Sequence, residues 1–237
     1  MQMQDIDYRA DTVMRGYLAF DAAGAGRRPG VLVFHEGLGL GEFAMARARM
    51  LAELGYVAFA ADMFGERRQA RNLQEVADLV GGLRGEPEIL RGRGRAALAA
   101  LAALPEVDAS RMAAIGFCFG GSVVLELARD GADLAAAVSF HGVLTTKMPA
   151  VADKVKASVL VLTGADDPLA PPEQVAAFEA EMRAAQVRDW QLISYGSTLH
   201  GFTNPAADGS MLRSALYSAQ ADRRSWASMR SLFDEVL

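Results

Sequence analysis

The chain has 237 residues, of which 51% are hydrophobic and 22% charged, as expected of one globular α/β domain with a sizeable core. Its net charge of −5 and its lack of a long basic cluster give no indication of a nucleic-acid partner. No stretch approaches the ~18 uninterrupted apolar residues of a membrane span. The first ten residues lack a secretory pattern, and the single cysteine cannot form an intrachain disulfide. We therefore expect a cytoplasmic protein with no membrane partner.

Short apolar runs alternate with segments of helical spacing along the chain. In chain order the pattern predicts a strand at 13–20, a strand at 31–34, a helix at 42–54, a strand at 56–61, helices at 72–80 and 87–104, a strand at 111–117, a helix at 121–130, strands at 134–142 and 158–164, a helix at 172–185, a strand at 189–196 and a helix at 214–237. This alternation predicts an α/β fold with a mostly parallel sheet and helices on both faces. We expect residues 1–237 to form a single domain, with residues 65–90 as a possible cap or excursion.

The only cysteine, Cys118, lies in the stretch IGFCFGGS between a predicted strand and a predicted helix. The pattern Gly116-x-Cys118-x-Gly120 is that of a nucleophile elbow, with cysteine in place of the usual serine. Small neighbours let the strand and the helix meet closely, and the helix N-terminus favours a thiolate. The alternatives are a small buried side chain and a dinucleotide-binding loop, for which the G-x-G start is missing.

A thiol needs a base to act as a nucleophile at neutral pH. The chain has three histidines, and the order nucleophile, acid, histidine leaves room for an acid only before His200. That acid is expected after the strand at 158–164, where Asp166 and Asp167 are adjacent, and spacing alone does not choose between them. His141, which follows the strand at 134–142, either lines the site or braces a strand end.

In these motifs the chain resembles the dienelactone hydrolase family of the α/β-hydrolase fold, and the resemblance extends from about Gly16 to the C-terminal helix. The resemblance rests on four stretches in this order: FHEGLGL (34–40), GFCFGG (116–121), GADDP (164–168) and HGF (200–202). It implies a Cys-Asp-His triad made of Cys118, Asp167 and His200. It also implies that Glu36 interacts with the cysteine and helps to activate the thiol when substrate binds.

The oxyanion hole is expected to consist of two backbone N–H groups, one from Phe119 and one from Gly37 in the loop after the strand at 31–34. Leu38, Phe64, His141 and Phe202 lie near the motifs and are candidates for contact with substrate, although the apolar ones could equally be core. Asn204 stands four residues after the histidine, where the best-known members of the family have an arginine that binds the substrate carboxylate.

The sequence thus predicts a hydrolase that cleaves a small-molecule ester or lactone, similar to carboxymethylenebutenolidase. No metal site and no organic cofactor are expected, because the chain has neither C-x-x-C nor H-E-x-x-H. One alternative is a thioesterase or acyltransferase that uses the same triad. The other is a non-catalytic binding protein of the same fold, which would be expected to have lost a triad member. The sequence gives no indication of the oligomeric state.

Overall fold

The computed structural model describes residues 1–24 and 26–237. Its strands are β1 (Gln2–Arg9), β2 (Val13–Phe20), β3 (Arg28–Phe34), β4 (Val57–Ala61), β5 (Val107–Phe117), β6 (Ala136–Phe140), β7 (Ser158–Gly164) and β8 (Trp190–Tyr195). They form one sheet in the order β1-β2-β4-β3-β5-β6-β7-β8. β1 pairs antiparallel with β2, and β2 with β4, whereas β3 to β8 are parallel to their neighbours. The mostly parallel sheet is confirmed.

The helices cover both faces of the sheet, as predicted. They are α1 (Glu42–Glu53), α2 (Leu73–Gly85), α3 (Pro87–Ala102), α4 (Phe119–Asp130), α5 (Pro172–Ala184) and α6 (Ala219–Val236). Every residue of β4 and β6 is buried, because helices pack on both sides of them. Leu32 and Phe34 of β3 pack on the side of α3, α4 and α5, while Val31 and Val33 pack on the side of α1 and α6. No helix among the described residues is both long enough and apolar enough to span a bilayer.

The prediction missed one strand and misplaced several element ends, among them the start of β3, which is Arg28, and the end of α2, which is Gly85. β1 was not predicted, because its sequence QMQDIDYR is polar and mostly exposed, and the strand is specified by its eight-residue ladder with β2. β5 begins at Val107 rather than at residue 111. The C-terminal helix begins at Ala219 rather than at residue 214, because the Ser218 side chain accepts the N–H of Ala221 and caps the first turn.

Residues 65–90 contain a loop, α2 and the first turn of α3. Asn72 caps α2 by accepting the N–H of Glu75 at 2.9 Å. Leu83 is the buried residue of α2, so most of this helix lies on the surface. α3, in contrast, buries Leu90 and Leu101 in the core beside α4. The excursion is therefore a surface helix, α2, supported by a core helix, α3.

Candidate active site

Cys118 lies on a sharp turn between the last residue of β5 and the first residue of α4. Its backbone has φ +54° and ψ −113°, a conformation that is strained for a residue with a Cβ atom. Two acceptors hold its N–H: the carbonyl oxygen of Phe140 at 3.0 Å and Nδ1 of His141 at 3.1 Å. This strained turn from strand to helix is the structure that the nucleophile-elbow pattern predicts.

The glycines on either side of Cys118 permit this turn. A Cβ atom on Gly116 would lie 2.0 Å from the carbonyl oxygen of Gly120. A Cβ atom on Gly120 would lie 2.2 Å from the carbonyl oxygen of Phe34. Both clashes are with backbone, which cannot rotate away as a side chain can. The spacing of the glycines is therefore a packing requirement of β3, β5 and α4.

His200 and Asp167 form a buried pair at the carboxyl end of the sheet. Asp167 follows β7 and His200 follows β8, and Nδ1 of His200 is 2.8 Å from Oδ2 of Asp167. The other oxygen of Asp167 accepts the N–H of Leu169 at 2.8 Å. The neighbouring Asp166 is exposed. Of the two candidate acids, the structure thus brings Asp167 to the histidine.

The second ring nitrogen of His200 is available for chemistry. Nε2 is buried and has no hydrogen-bond partner among the described residues. Burial by itself lowers the pKa of His200, but a thiolate at Cys118 and the Asp167 carboxylate outweigh it and raise the pKa to about 10. Cys118 and His200 line the same cleft. The pair can therefore exchange a proton through Nε2.

Glu36 follows β3 and also lines this cleft. Its Oε2 accepts the side-chain N–H of Asn204 at 2.8 Å. The amide oxygen of Asn204 accepts the N–H of Ala206 at 2.9 Å, which fixes the orientation of the amide. Burial raises the pKa of Glu36, against the opposing effects of the Asn204 amide and of His200. Asn204 thus holds the carboxylate where the resemblance had placed a substrate-binding arginine.

Of the two predicted oxyanion-hole donors, Gly37 lines the cleft and Phe119 directly follows Cys118. Phe119 is the first residue of α4 and Gly37 is in the loop after β3, and neither N–H has an acceptor among the described residues. His35 fixes that loop: its Nδ1 donates to the carbonyl oxygen of Glu36 at 2.6 Å, and its Nε2 accepts the N–H of Met63 at 3.1 Å. Burial lowers the pKa of His35, in keeping with a neutral ring.

The four candidates for substrate contact occupy different places. Leu38 lines the cleft and is 36% exposed. His141 is fully buried beneath the elbow, where its Nε2 is 2.8 Å from Oγ1 of Thr203. Burial holds the pKa of His141 well below its usual range. Phe64 stacks on the Phe119 ring, and Phe202 packs against His141; neither lines the cleft.

Sequence reasoning missed Arg47, a buried arginine of α1. Its Nη2 donates to the carbonyl oxygen of Thr203 at 2.6 Å and to Asp222 of α6 at 2.8 Å. Its guanidinium also lies over the rings of Phe117 and Trp226. Arg47 thereby ties the loop that carries His200 to two helices. A charged residue on the apolar face of a predicted helix was the available signal.

The cleft above these groups has a volume of about 320 Å³. α2 contributes Leu73 and Val76 to one wall, and residues 206–212 form much of the opposite wall. In the described part of the chain, no three His, Cys, Asp or Glu residues are grouped so that they could hold a metal ion.

Comparisons with known proteins identify the family and the fold. A family model described as the dienelactone hydrolase family matches residues 14–237. A solved structure named m3DLH is 44% identical, with a TM-score of 0.95, covering 100% of this chain and 98% of its own. A dienelactone hydrolase-like promiscuous phosphotriesterase from metagenomic libraries is also 44% identical, with a TM-score of 0.94, covering 99% of this chain and 98% of its own. A Salmonella typhimurium protein named provisionally as a carboxymethylenebutenolidase is 29% identical over 200 residues, 80% of this chain and 73% of its own. The chain therefore belongs to the dienelactone hydrolase family, has the α/β-hydrolase fold, and is an ester or lactone hydrolase.

Proposed function

We propose that the protein hydrolyses a small ester or lactone by acyl transfer through Cys118, His200 and Asp167. The observation that carries the proposal is the buried pair of His200 and Asp167, whose unbonded Nε2 shares a cleft with a cysteine on a strained elbow. We also propose the cytoplasm as its location, because a nucleophilic thiol persists in a reducing compartment.

In this mechanism the Cys118 thiolate attacks the substrate carbonyl carbon, and the carbonyl electrons move to oxygen. The N–H groups of Phe119 and Gly37 stabilise that oxyanion. The oxyanion collapses, the C–O bond breaks, and Nε2–H of His200 protonates the departing alkoxide. Neutral His200 then takes a proton from water as the water attacks the thioester, and the acid departs with regeneration of the thiolate.

Glu36 has a separate proposed role in activating the thiol. It lines the cleft with Cys118, and among the described residues its carboxylate accepts one hydrogen bond, from the neutral amide of Asn204. A carboxylate that burial makes more basic is a competent proton acceptor for a thiol. We propose that substrate entry brings Glu36 and the Cys118 thiol together, so that the carboxylate takes the thiol proton and passes it to Nε2 of His200, which then holds the proton that the departing alkoxide receives.

A second candidate activity on the same nucleophile is phosphotriester hydrolysis. The relative at 44% identity carries promiscuous phosphotriesterase in its name. A neutral phosphotriester presents a P=O group that the same two N–H donors could bind. The thioesterase and acyltransferase alternatives are distinguishable by assay, since each predicts a different product; a non-catalytic binding protein is at odds with the family assignment.

The test is turnover of a panel of small esters, thioesters, lactones and one phosphotriester, dienelactone included. We expect wild type to hydrolyse esters or lactones, Cys118→Ala to lose this activity, and the mass of the intact protein to rise by one acyl group with a slow ester. Asp166→Asn is the matched control, because Asp166 is exposed beside the buried Asp167. Equal turnover by wild type and Cys118→Ala would refute the proposed nucleophile. Preferred transfer of the acyl group to an added alcohol or thiol would favour the acyltransferase alternative.

A further inference from the structure

The walls of the cleft are apolar where they extend away from Cys118. Leu73 and Val76 of α2 face Leu38 and the segment that includes Met211 and Leu212. A cleft of about 320 Å³ lies at the lower end of the ~300–1,000 Å³ range of small-molecule sites. It is therefore large enough for a group of several carbon atoms next to the reacting carbonyl.

Large apolar side chains remain exposed at the mouth of this cleft. Leu38 is 36% exposed, Leu73 44% and Met211 50%. They come from three separate parts of the chain, the loop after β3, the start of α2 and the segment after His200, and all three line the same cleft. Exposed apolar side chains that surround one cleft are more often part of a binding site than exposed by chance.

The charges at the cleft are unfavourable for an anion. Among the described residues that line it, Glu36 and Asp208 are acidic, His200 beside Cys118 can carry a positive charge, and no Lys or Arg lines it. The side chain and the N–H of Ser210 together hold the pKa of Asp208 below its usual range, so this carboxylate is charged at neutral pH. Arg84 is not among the lining residues: it donates to Thr145 and, with Lys147, lines a neighbouring cavity that shares Val76 with the cleft.

We infer that the substrate carries a neutral, apolar group of several carbon atoms, held by Leu38, Leu73 and Met211. The inference rests on the proposed function, because it names the substrate class for the same cleft. Burial of that group removes apolar surface of both substrate and protein from water. Each methylene that enters the cleft strengthens binding about fourfold, which corresponds to about 0.8 kcal/mol per buried CH₂. A carboxylate on the same group would be repelled by Glu36 and Asp208 and lose its hydration.

The experiment compares kcat/KM for 4-nitrophenyl acetate, butanoate and hexanoate with that for an ester of hexanoate length that ends in a carboxylate. We expect kcat/KM to rise with chain length, and the anionic ester to be at least tenfold poorer than the hexanoate. Leu73→Asp and Met211→Asp should each reduce the hexanoate-to-acetate ratio at least fivefold. Val151→Asp is the matched control, because Val151 is 62% exposed and does not line the cleft.

The outcomes separate this inference from the proposed function. If wild type hydrolyses acetate and hexanoate equally, or prefers the anionic ester, and Cys118→Ala abolishes this activity, the inference is overturned while the proposed function stands. An unchanged ratio in both aspartate variants overturns it in the same way. Absence of Cys118-dependent turnover with every ester overturns both.

Discussion

Asp167→Asn tests whether the buried carboxylate sets the chemistry of His200. Both oxygens of Asp167 act as acceptors, one from the Leu169 N–H and one from Nδ1–H of His200, each at 2.8 Å. An asparagine has one acceptor and one donor, so it cannot satisfy both partners. If its NH₂ faces the imidazole, the ring takes the tautomer with the proton on Nε2 and can no longer accept one there. If the NH₂ faces Leu169, two N–H groups oppose each other in a buried site.

The expected magnitude follows from the role of the acid. The same substitution in a serine triad lowers kcat about 10⁴-fold through the wrong tautomer. Here an attacking thiolate depends less on the base, so we expect kcat/KM to fall about 10²–10³-fold. The lost acceptor should also cost about 1–3 kcal/mol of unfolding free energy. Because Asp167 helps to raise the pKa of His200 to about 10 in the wild type, the variant should lose its imidazolium at lower pH.

The assay is kcat/KM for the best ester between pH 5 and pH 11, together with urea unfolding. Asp166→Asn is the control and should match wild type, because Asp166 is exposed. If Asp167→Asn keeps activity within twofold of wild type and its alkaline limb does not move to lower pH, the carboxylate does not set the state of His200.

Three further predictions concern the framework around the cleft. Gly120→Ala should lower the free energy of unfolding in urea by about 1–3 kcal/mol or more, because the added Cβ would meet the backbone of β3. Gly81 in α2 has open space around it, so Gly81→Ala should instead raise the free energy of unfolding by about 0.5–1 kcal/mol. Arg47→Met should lower the unfolding free energy by about 3–5 kcal/mol, because it leaves Asp222 partly buried without its partner, and Arg47→Met/Asp222→Asn should recover part of that loss. The folded pKa of His200 is raised from 6.5 to about 10, so its contribution to stability is fully present below pH 6.5 and lost as the pH rises towards 10. Unfolding measured from pH 6 to pH 10 should show this loss in wild type and a smaller one in Cys118→Ala.

Local sequence patterns were sufficient to predict the elbow and most of the sheet. Strand, turn and helix follow one another within residues 107–130, and the glycine spacing there reflects contacts that any chain with this turn must make. Strands β4 and β6 could also be predicted locally, because their apolar sequences indicate strands that are buried on both faces. β1 escaped prediction because only Ile6 and Tyr8 of its inner face pack against the core, so its alternation of apolar and polar residues is too short to indicate a strand. The formation of this strand depends on its pairing with β2.

The candidate site was harder because its contacts join distant parts of the chain. Asp166 and Asp167 are chemically identical neighbours, and only the path of the loop after β7 decides which carboxylate reaches His200. His141 was a plausible cleft residue until the fold placed its ring beneath the elbow, where it accepts the N–H of Cys118.

Asn204 affects both the basicity of Glu36 and the charge of the cleft, and the resemblance to the family does not by itself predict either effect. A cation at this position would neutralise Glu36 and attract an anionic substrate. The amide does neither: it gives Glu36 one hydrogen bond and leaves a buried carboxylate whose pKa is raised by burial. The same replacement thus makes Glu36 a stronger base for the thiol and removes a reason for an anion to enter. Basicity at Glu36 and the absence of Lys and Arg from the described lining of the cleft both follow from the amide at Asn204. A change in substrate charge preference should therefore accompany any substitution that places a cation at this position.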